Sequence, residues 1–353
     1  NKNQYKEGTN EYVAVRPELK KQIEELYRKH PEEARDSFGE DPFEVKNILK
    51  YWVFSEKPEF HVIPTDTINI HIDKDALLRS GIMLPKTIRH LKGEDLKDAI
   101  PDKLYIPLTD IRMLTKVDLL MLEMLANCNW ERPLYLAISV GSVSKLKFDN
   151  YFVQEGLAFR FTPFDYKKWG DVGENRLYAV DVERLYNNVM NRYKYGGLDT
   201  PGLYLDETTL RTCWYHRRLF AQLAKELIAQ GDNERAKKVL AYAEQVIPGY
   251  NVPETHESGS YDIATAYAAL GEKTKAVTLA VHLIAEAEDY INWAFSLKGN
   301  RIEMVRNDCI YKFWQWNQYN ELLKKIDGEK YKESNRRFEE KYALFAPTMN
   351  YKN

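Results

Sequence analysis

Two matching segments about forty residues apart constrain the fold of this chain more than any other feature. The first, LAKELIAQGDNERAKKVLAYAEQVIP, is centred on Gly231, and the second aligns with it on Gly271. Small residues allow two helices to approach closely, and a glycine ends the first helix before a short turn. The pattern therefore predicts two helix–turn–helix units. The matching small or apolar positions are Ala224, Leu227, Ala236, Leu240 and Ala243, followed by Pro248, in the first unit, and Ala264, Tyr267, Ala276, Ala280 and Leu283 in the second.

These offsets are typical of tetratricopeptide repeats, whose usual length is about 34 residues. The two glycines are farther apart than that, so an insertion around NVPETH is expected between the units, which span about residues 209–248 and 255–288. An array needs roughly three repeats to be stable. We therefore expect flanking helices to cap these two.

The N-terminal half has mixed periodicity. The stretch up to Phe54 is charged and has helical spacing, whereas residues 67–73 alternate strictly and predict a strand. LTKVDLLMLEMLANCNW predicts a helix that begins with a capping box formed by Thr115 and Asp118. VQEGLAFRF predicts one strand with a bulge at Gly156. We expect the apolar stripe of the helix to face the core; it comprises Val117, Leu120, Met121, Met124 and Leu125.

The predicted fold class is an α+β (mixed α/β) N-terminal domain followed by an all-α domain of tetratricopeptide-like helical repeats. Residues 1–55 form a helical lead-in, residues 56–180 the α/β domain, and residues 181–353 the helical domain.

The segment NCNWERPLYLAISVGS, residues 127–142, has the pattern of a helix that turns into a strand. Pro133 cannot continue a helix and biases Arg132 to extended geometry. The nearly continuous apolar run from Leu134 to Val140 predicts a strand covered on both faces. We interpret this corner as a structural junction, and a contact with substrate or with a membrane-embedded half is the alternative. The junction residues are Trp130, Glu131, Arg132, Pro133 and Gly141.

Charge excludes one class of partner. The chain has 353 residues, 51 basic and 53 acidic, and a net charge of −2, with both signs mixed throughout. A nucleic-acid binder needs a concentrated basic face, so no nucleic acid is expected. The three cysteines, Cys128, Cys213 and Cys309, form no disulfide framework.

Catalytic and metal motifs are missing from the sequence. His61, Asp66, His71 and Asp73 lie close together, but only His71 and Asp73 share a strand face, so we predict no metal site and no cofactor. The HExxH, GxSxG, P-loop and GxGxxG motifs do not occur. No catalytic residue is predicted.

The run RTCWYHRR, residues 211–218, offers a candidate binding face. Arg211, Tyr215 and Arg218 lie along one helix face at the spacing of a helix. This first helix of the repeat pair would contribute to the concave face of an array, where the two arginines would favour an acidic partner. The predicted binding residues are Arg211, Trp214, Tyr215, Arg218, Gln222 and Tyr261.

Four stretches resemble a known family. NCNWERPLYLAISVGS, DNYFVQEGLAFRFTP, VERLYNNVMNRYKYGGLDTPGLYLDETTLR and QVIPGYNVP resemble the C-terminal soluble part of a bacterial family of multi-span membrane proteins, described as protein O-mannosyltransferase-like. The resemblance covers most of the chain from about Asn10 and is densest between Leu119 and Pro253. Its most specific block is residues 129–135.

The resemblance implies a periplasmic domain of a membrane protein of the C-type glycosyltransferase class, which uses lipid-linked sugars. No segment here corresponds to the catalytic membrane half, so we expect a non-catalytic region that binds an acceptor protein or peptide or braces that half. The chain begins without a methionine, which suggests a piece of a larger protein. The alternative is an independent tetratricopeptide-type scaffold that binds a protein or peptide. A self-contained soluble enzyme is the weakest interpretation.

Overall fold

Short strands and short helices occupy the first half of the chain, and long helices dominate the second half. The computed structural model describes residues 12–57, 60–140, 146, 148–173, 178–297 and 301–349. The chain divides into two compact units, residues 1–181 and 182–353. The first unit is mixed α/β and the second is helical, which confirms the predicted fold class at this level.

The described residues of the first unit contain three small sheets. In one sheet β1 lies between β2, which is parallel to it, and β5, which is antiparallel. Strands β3 and β4 form an antiparallel pair, and the third sheet has the order β6-β8-β7-β9. The strands are β1 (Tyr12–Val15), β2 (Val62–Ile63), β3 (Thr67–His71), β4 (Lys103–Pro107), β5 (Met113–Thr115), β6 (Tyr135–Ala137), β7 (Phe152–Gln154), β8 (Ala158–Phe161) and β9 (Ala179–Val180).

Helices of the first unit cover these sheets. They are α1 (Lys20–Lys29), α2 (Pro31–Phe38), α3 (Val45–Ile48), α4 (Lys74–Arg79), α5 (Gly93–Ala99) and α6 (Lys116–Asn127). The predicted alternation in β3 is confirmed, since Ile68, Ile70 and Ile72 are buried. The capping box is confirmed too: the Thr115 hydroxyl accepts from the Asp118 N–H, and the Asp118 carboxylate accepts from the Thr115 N–H.

The predicted core face of α6 is confirmed for Met121 and Leu125, which pack in the core, and is wrong for the other three residues. Val117, Leu120 and Met124 are each about half exposed, whereas Leu119 and Leu122 on another face are buried. Helix α6 carries apolar residues around most of its circumference, so periodicity does not select the buried face. Packing against β3 and α3 selects it instead.

Three other expectations for this unit are corrected. The described part of the lead-in contains strand β1 ahead of its helices, and this strand pairs with β2 and β5. The predicted bulged strand is a hairpin of β7 and β8, in which Phe152 lies opposite Phe161. The run after Pro133 contributes only β6, an edge strand with exposed Tyr135, because the chain turns away at Ile138.

The second unit is built from helices α7 (Val182–Asn187), α8 (Glu207–Ala229), α9 (Asn233–Val246), α10 (Ser260–Ala269), α11 (Lys273–Ser296), α12 (Arg301–Met304), α13 (Arg306–Ile326) and α14 (Gly328–Met349). Its described residues contain three successive helix pairs, α8 with α9, α10 with α11, and α13 with α14. Helix α10 also packs on α8, and α13 packs on α11. The third pair supplies the flanking helices that the sequence predicts.

Glycine turns and small side chains hold the first two pairs together. Gly231 and Gly271 have φ of 79° and 80°, the left-handed conformation that glycine adopts without a steric penalty. Ala236 and Ala276, at matching positions after the turns, are both 0% exposed. A larger side chain at either position would therefore have to displace a neighbouring helix.

Candidate binding site

The segment that separates the first two helix pairs is held by a buried arginine. Arg217 of α8 is 3% exposed and donates hydrogen bonds to three carbonyl oxygens of this segment, those of Ile247, Val252 and Pro253, the last at 2.8 Å. It also donates to Ser258 Oγ at 3.2 Å. No carboxylate of the described residues lies within ion-pair distance of this guanidinium. Burial lowers the pKa of Arg217, and the nearby charge of Glu254 opposes that shift.

Further contacts fix the same segment, residues 248–259, which we call the inserted loop. Asn251 Nδ2 donates to the carbonyl oxygens of Leu198 and Thr200 at 2.8 and 2.6 Å. His256 Nδ1 lies 2.9 Å from the Tyr319 hydroxyl oxygen. The loop is therefore an ordered part of the helical unit, tied to α8, to α13 and to the chain before α8.

The inserted loop forms one wall of a cavity of about 470 Å³, which we call the loop cavity. This volume lies within the roughly 300–1,000 Å³ range of ligand pockets. We call its apolar lining residues the floor and its polar lining residues the rim. Floor residues are Leu240, Ala243, Ile247, Ile263 and Leu279, and rim residues are Arg217, Glu244, Glu254, Tyr267, Thr274, Lys275, Thr278 and His282.

Three rim residues, Glu244, Tyr267 and Lys275, interact with one another. Lys275 Nζ lies 2.9 Å from both carboxylate oxygens of Glu244 and 5.0 Å from the centre of the Tyr267 ring. The Tyr267 hydroxyl donates to the same carboxylate. Burial and then this hydrogen bond raise the pKa of Tyr267, so its proton stays in place at neutral pH. Glu244 is thus neutralised within the rim.

One lining carboxylate, that of Glu254, lacks a bonded cation, and Glu286 lies near it outside the lining. No hydrogen bond or ion pair reaches the Glu254 carboxylate from the described residues. Glu286, one turn beyond His282 on α11, has a raised pKa, chiefly through burial and in part through Glu254 and Glu257. Electrostatic interactions with His282 and Lys312 lower that pKa. The nearby lining cation is Arg217, whose donors all bond neutral oxygen atoms.

The sequence-predicted binding residues lie on α8 and α10, outside the lining of the loop cavity. Arg211 is paired with Glu207, and Arg218 Nε donates to the Glu257 carbonyl oxygen. Gln222 bonds Glu226 at 2.6 Å. The ring of Tyr261 packs against those of His256 and Tyr319, and Trp214 and Tyr215 are half-buried. Five of these six side chains have partners or ring neighbours within the chain, whereas Trp214 Nε1 is buried without a hydrogen-bond partner among the described residues; the face they form stays a prediction.

The Trp-Glu-Arg-Pro corner of the first unit packs into the core through its tryptophan side chain. Trp130 is buried, stacks on Phe161, and donates from Nε1 to the His71 carbonyl oxygen at 2.7 Å. Asn129 and Trp130 both have positive φ, 48° and 61°, which is uncommon for residues other than glycine. Glu131, Arg132 and Pro133 are exposed, and Glu131 lies 3.8 Å from Arg79. Gly141 and Ser142 lie outside the described residues.

A second cleft, of about 610 Å³, borders this corner, and three of its lysines have partners within the chain. Lys103 pairs with Asp41 at 2.6 Å and Lys97 with Asp75 at 2.8 Å. Lys46 donates to Asn129 Oδ1. The loop cavity has the larger number of apolar lining residues and is therefore the stronger candidate for a binding site.

The grouped histidines and aspartates of the first unit have structural roles. Asp73 caps α4 by accepting from the Ala76 N–H, and Asp66 pairs with Lys20 at 2.9 Å. His61 Nε2 lies 2.7 Å from the Ser55 carbonyl oxygen. Across the described ranges, no group of three potential ligands could hold a metal ion.

These features define a protein with a mixed α/β unit and a helical unit, the second of which contains the loop cavity. Residues 1–183 match the TMEM260-associated domain 2 family, and the chain belongs to this family of uncharacterised domains. The match covers the first unit, and the loop cavity lies beyond it. No curated protein and no solved structure matches the chain. Within the described residues, every helix is too short or too polar to cross a membrane.

Proposed function

We propose that this chain is a non-catalytic recognition region of a glycosyltransferase-like membrane protein, related to protein O-mannosyltransferases and located on the periplasmic side. In this proposal the helical unit is a tetratricopeptide-like array, and its loop cavity receives a segment of a partner or acceptor protein. The first unit braces the membrane-embedded half of the same protein.

The observation that carries the recognition role is the loop cavity. An apolar floor with a few polar groups on the rim is typical of sites that bind a ligand of mixed character. A polypeptide segment has this character, since it offers apolar side chains together with backbone and charged groups. Arg217 keeps the cavity wall in place before any ligand arrives, which limits the ordering cost of binding.

Helix packing supports the array. Three successive pairs satisfy the need of repeat proteins for roughly three units. The small residues Ala264, Ala276 and Ala280 are completely buried at positions where repeats of this kind place them.

The exposed face of α6 supports the bracing role. Val117, Leu120 and Met124 occupy one side of the helix and are 48%, 47% and 49% exposed. A helix that is apolar on nearly all sides is usually covered. The membrane half of the parent protein would supply the cover.

The second candidate function is an independent scaffold that binds a peptide without any link to sugar transfer. The array and cavity favour it equally, because neither involves sugar chemistry. The native gene product separates the two: about ten membrane spans upstream of this region support the first function, and a free-standing protein supports the second.

Selection of a random dodecapeptide library on the purified chain tests recognition. Thr278 is an exposed cavity-lining residue of α11, so Thr278→Trp should block the cavity mouth. Asn292→Trp, at an exposed position of the same helix that does not line the cavity, is the matched control.

We expect peptides that bind the unmodified chain and the Asn292→Trp variant equally and the Thr278→Trp variant at least about tenfold more weakly, a loss of about 1.4 kcal/mol. Failure to enrich any peptide, or a peptide affinity that Thr278→Trp leaves unchanged, would overturn the proposal.

A further inference from the structure

The charge distribution around the loop cavity selects among possible partner side chains. Two cations line it, and both are engaged: Lys275 by Glu244, and Arg217 by four neutral oxygen atoms. The Glu254 carboxylate has no hydrogen-bond or ion-pair partner among the described residues. An anionic ligand would therefore meet a repelling carboxylate and few free donors.

Gly249 leaves room for the Glu254 carboxylate. A Cβ atom at Gly249 would come within 2.6 Å of that carboxylate, so the absence of a side chain at Gly249 makes room for the group. The same carboxylate lies near enough to Glu286 to contribute to the raised pKa of that residue. A cation beside Glu254 would relieve the repulsion between the two carboxylates.

We propose that the loop cavity takes the side chain of an arginine or lysine residue in a partner polypeptide, with its charged end at Glu254 and its aliphatic stem on the apolar floor. Leu240, Ile263 and Leu279 supply that floor. Both side chains bury an aliphatic stem while their charged end stays hydrated or paired. This inference rests on the proposed recognition of a polypeptide and adds the identity of the anchoring residue.

A basic partner residue has the opposite charge to the acidic partner that the sequence predicts. The sequence predicts an acidic partner from Arg211 and Arg218, whereas the structure pairs Arg211 with Glu207 and ties Arg218 to the Glu257 carbonyl oxygen. Neither arginine lines the loop cavity. Among the described residues, the lining carboxylate that no cation bonds is that of Glu254.

The dodecapeptide selection is repeated on the Glu254→Gln variant to test this inference. Glu234→Gln is the matched control, because Glu234 is an exposed glutamate of α9 outside the cavity lining. We expect peptides enriched on the unmodified chain and on the control to share a basic residue at one position, and this enrichment to be lost on Glu254→Gln.

The affinity of one enriched peptide and of its norleucine counterpart, which keeps an aliphatic stem without the charge, is then measured by fluorescence anisotropy. A hydrogen bond to a charged group predicts at least about tenfold tighter binding of the basic peptide, falling to about threefold or less with Glu254→Gln. The affinity of the norleucine peptide should stay the same in both proteins.

The possible outcomes distinguish a failure of the arginine or lysine anchor from a failure of polypeptide recognition, on which the anchor rests. Peptides that are enriched without a basic residue, or a basic preference that survives Glu254→Gln, would overturn the arginine or lysine anchor and leave polypeptide recognition standing. Enrichment of no peptide at all would overturn both. Equal melting temperatures of the two glutamine variants exclude misfolding as the cause.

Discussion

Replacing Arg217 with methionine is the sharpest test of how the cavity wall is held. Methionine keeps an unbranched apolar stem but removes donors that serve three carbonyl oxygens and the Ser258 hydroxyl. Hydrogen bonds from a charged group are worth about 1.5–3 kcal/mol each. The full sum does not apply, because the variant also avoids the cost of burying a guanidinium group. We expect a net loss of about 3 kcal/mol, within the range for large single-residue effects.

Urea unfolding followed by far-UV circular dichroism measures that loss, and hydrogen exchange shows where it falls. Amides of the inserted loop should exchange faster in the variant, while those of α13 and α14 keep their protection. Arg218→Met is the matched control, since Arg218 is exposed and donates one bond to this loop; it should cost about 1 kcal/mol. Equal stability of the two variants would refute the claim that Arg217 holds the loop.

Three further predictions follow from the same contacts. Ala236→Arg should lower the free energy of unfolding by several kcal/mol, on the order of the largest single-mutant effects, because Ala236 is 0% exposed; unchanged melting would contradict the helix packing. Burial raises the pKa of Glu286, so the folded chain loses stability as the pH rises through that pKa and the buried carboxyl group becomes charged. Glu286→Gln cannot become charged, so this variant should melt at a higher temperature than the unmodified chain at pH 7. The difference should vanish below the usual pKa of 4.5, and a constant difference would contradict the assignment. The chain alone should turn over no lipid-linked or nucleotide sugar, and turnover abolished by a point mutation within it would contradict a non-catalytic role.

Local signals predicted local structure well. The capping box at Thr115, the alternation around Ile70 and the turn at Gly231 each depend on a few neighbouring residues, and each is confirmed. Choices between faces and between strand partners were predicted poorly. Periodicity could not choose the buried side of α6, and it could not tell one bulged strand from the β7–β8 hairpin, because tertiary packing decides both.

The candidate site was predicted only in part. The long spacing between Gly231 and Gly271 predicted an insertion, and the structure builds the cavity wall from it. The sequence analysis singled out Arg211 and Arg218 but missed Arg217. A signal was present, since Arg217 lies at helical spacing from Cys213 and Ala221 within the buried stripe of α8. An arginine within an apolar stripe needs buried acceptors, and those come from a loop thirty or more residues later in the chain.

Hydrogen exchange of the chain with and without a saturating selected peptide tests the central claim most directly. The account predicts that added protection is confined to the walls of the loop cavity, residues 240–254 and 273–282. On the predicted face of α8, the amides of Arg211, Tyr215 and Gln222, none of which lines the cavity, should exchange at the same rate in both states. Protection along that face, with no change at the cavity walls, would contradict the account.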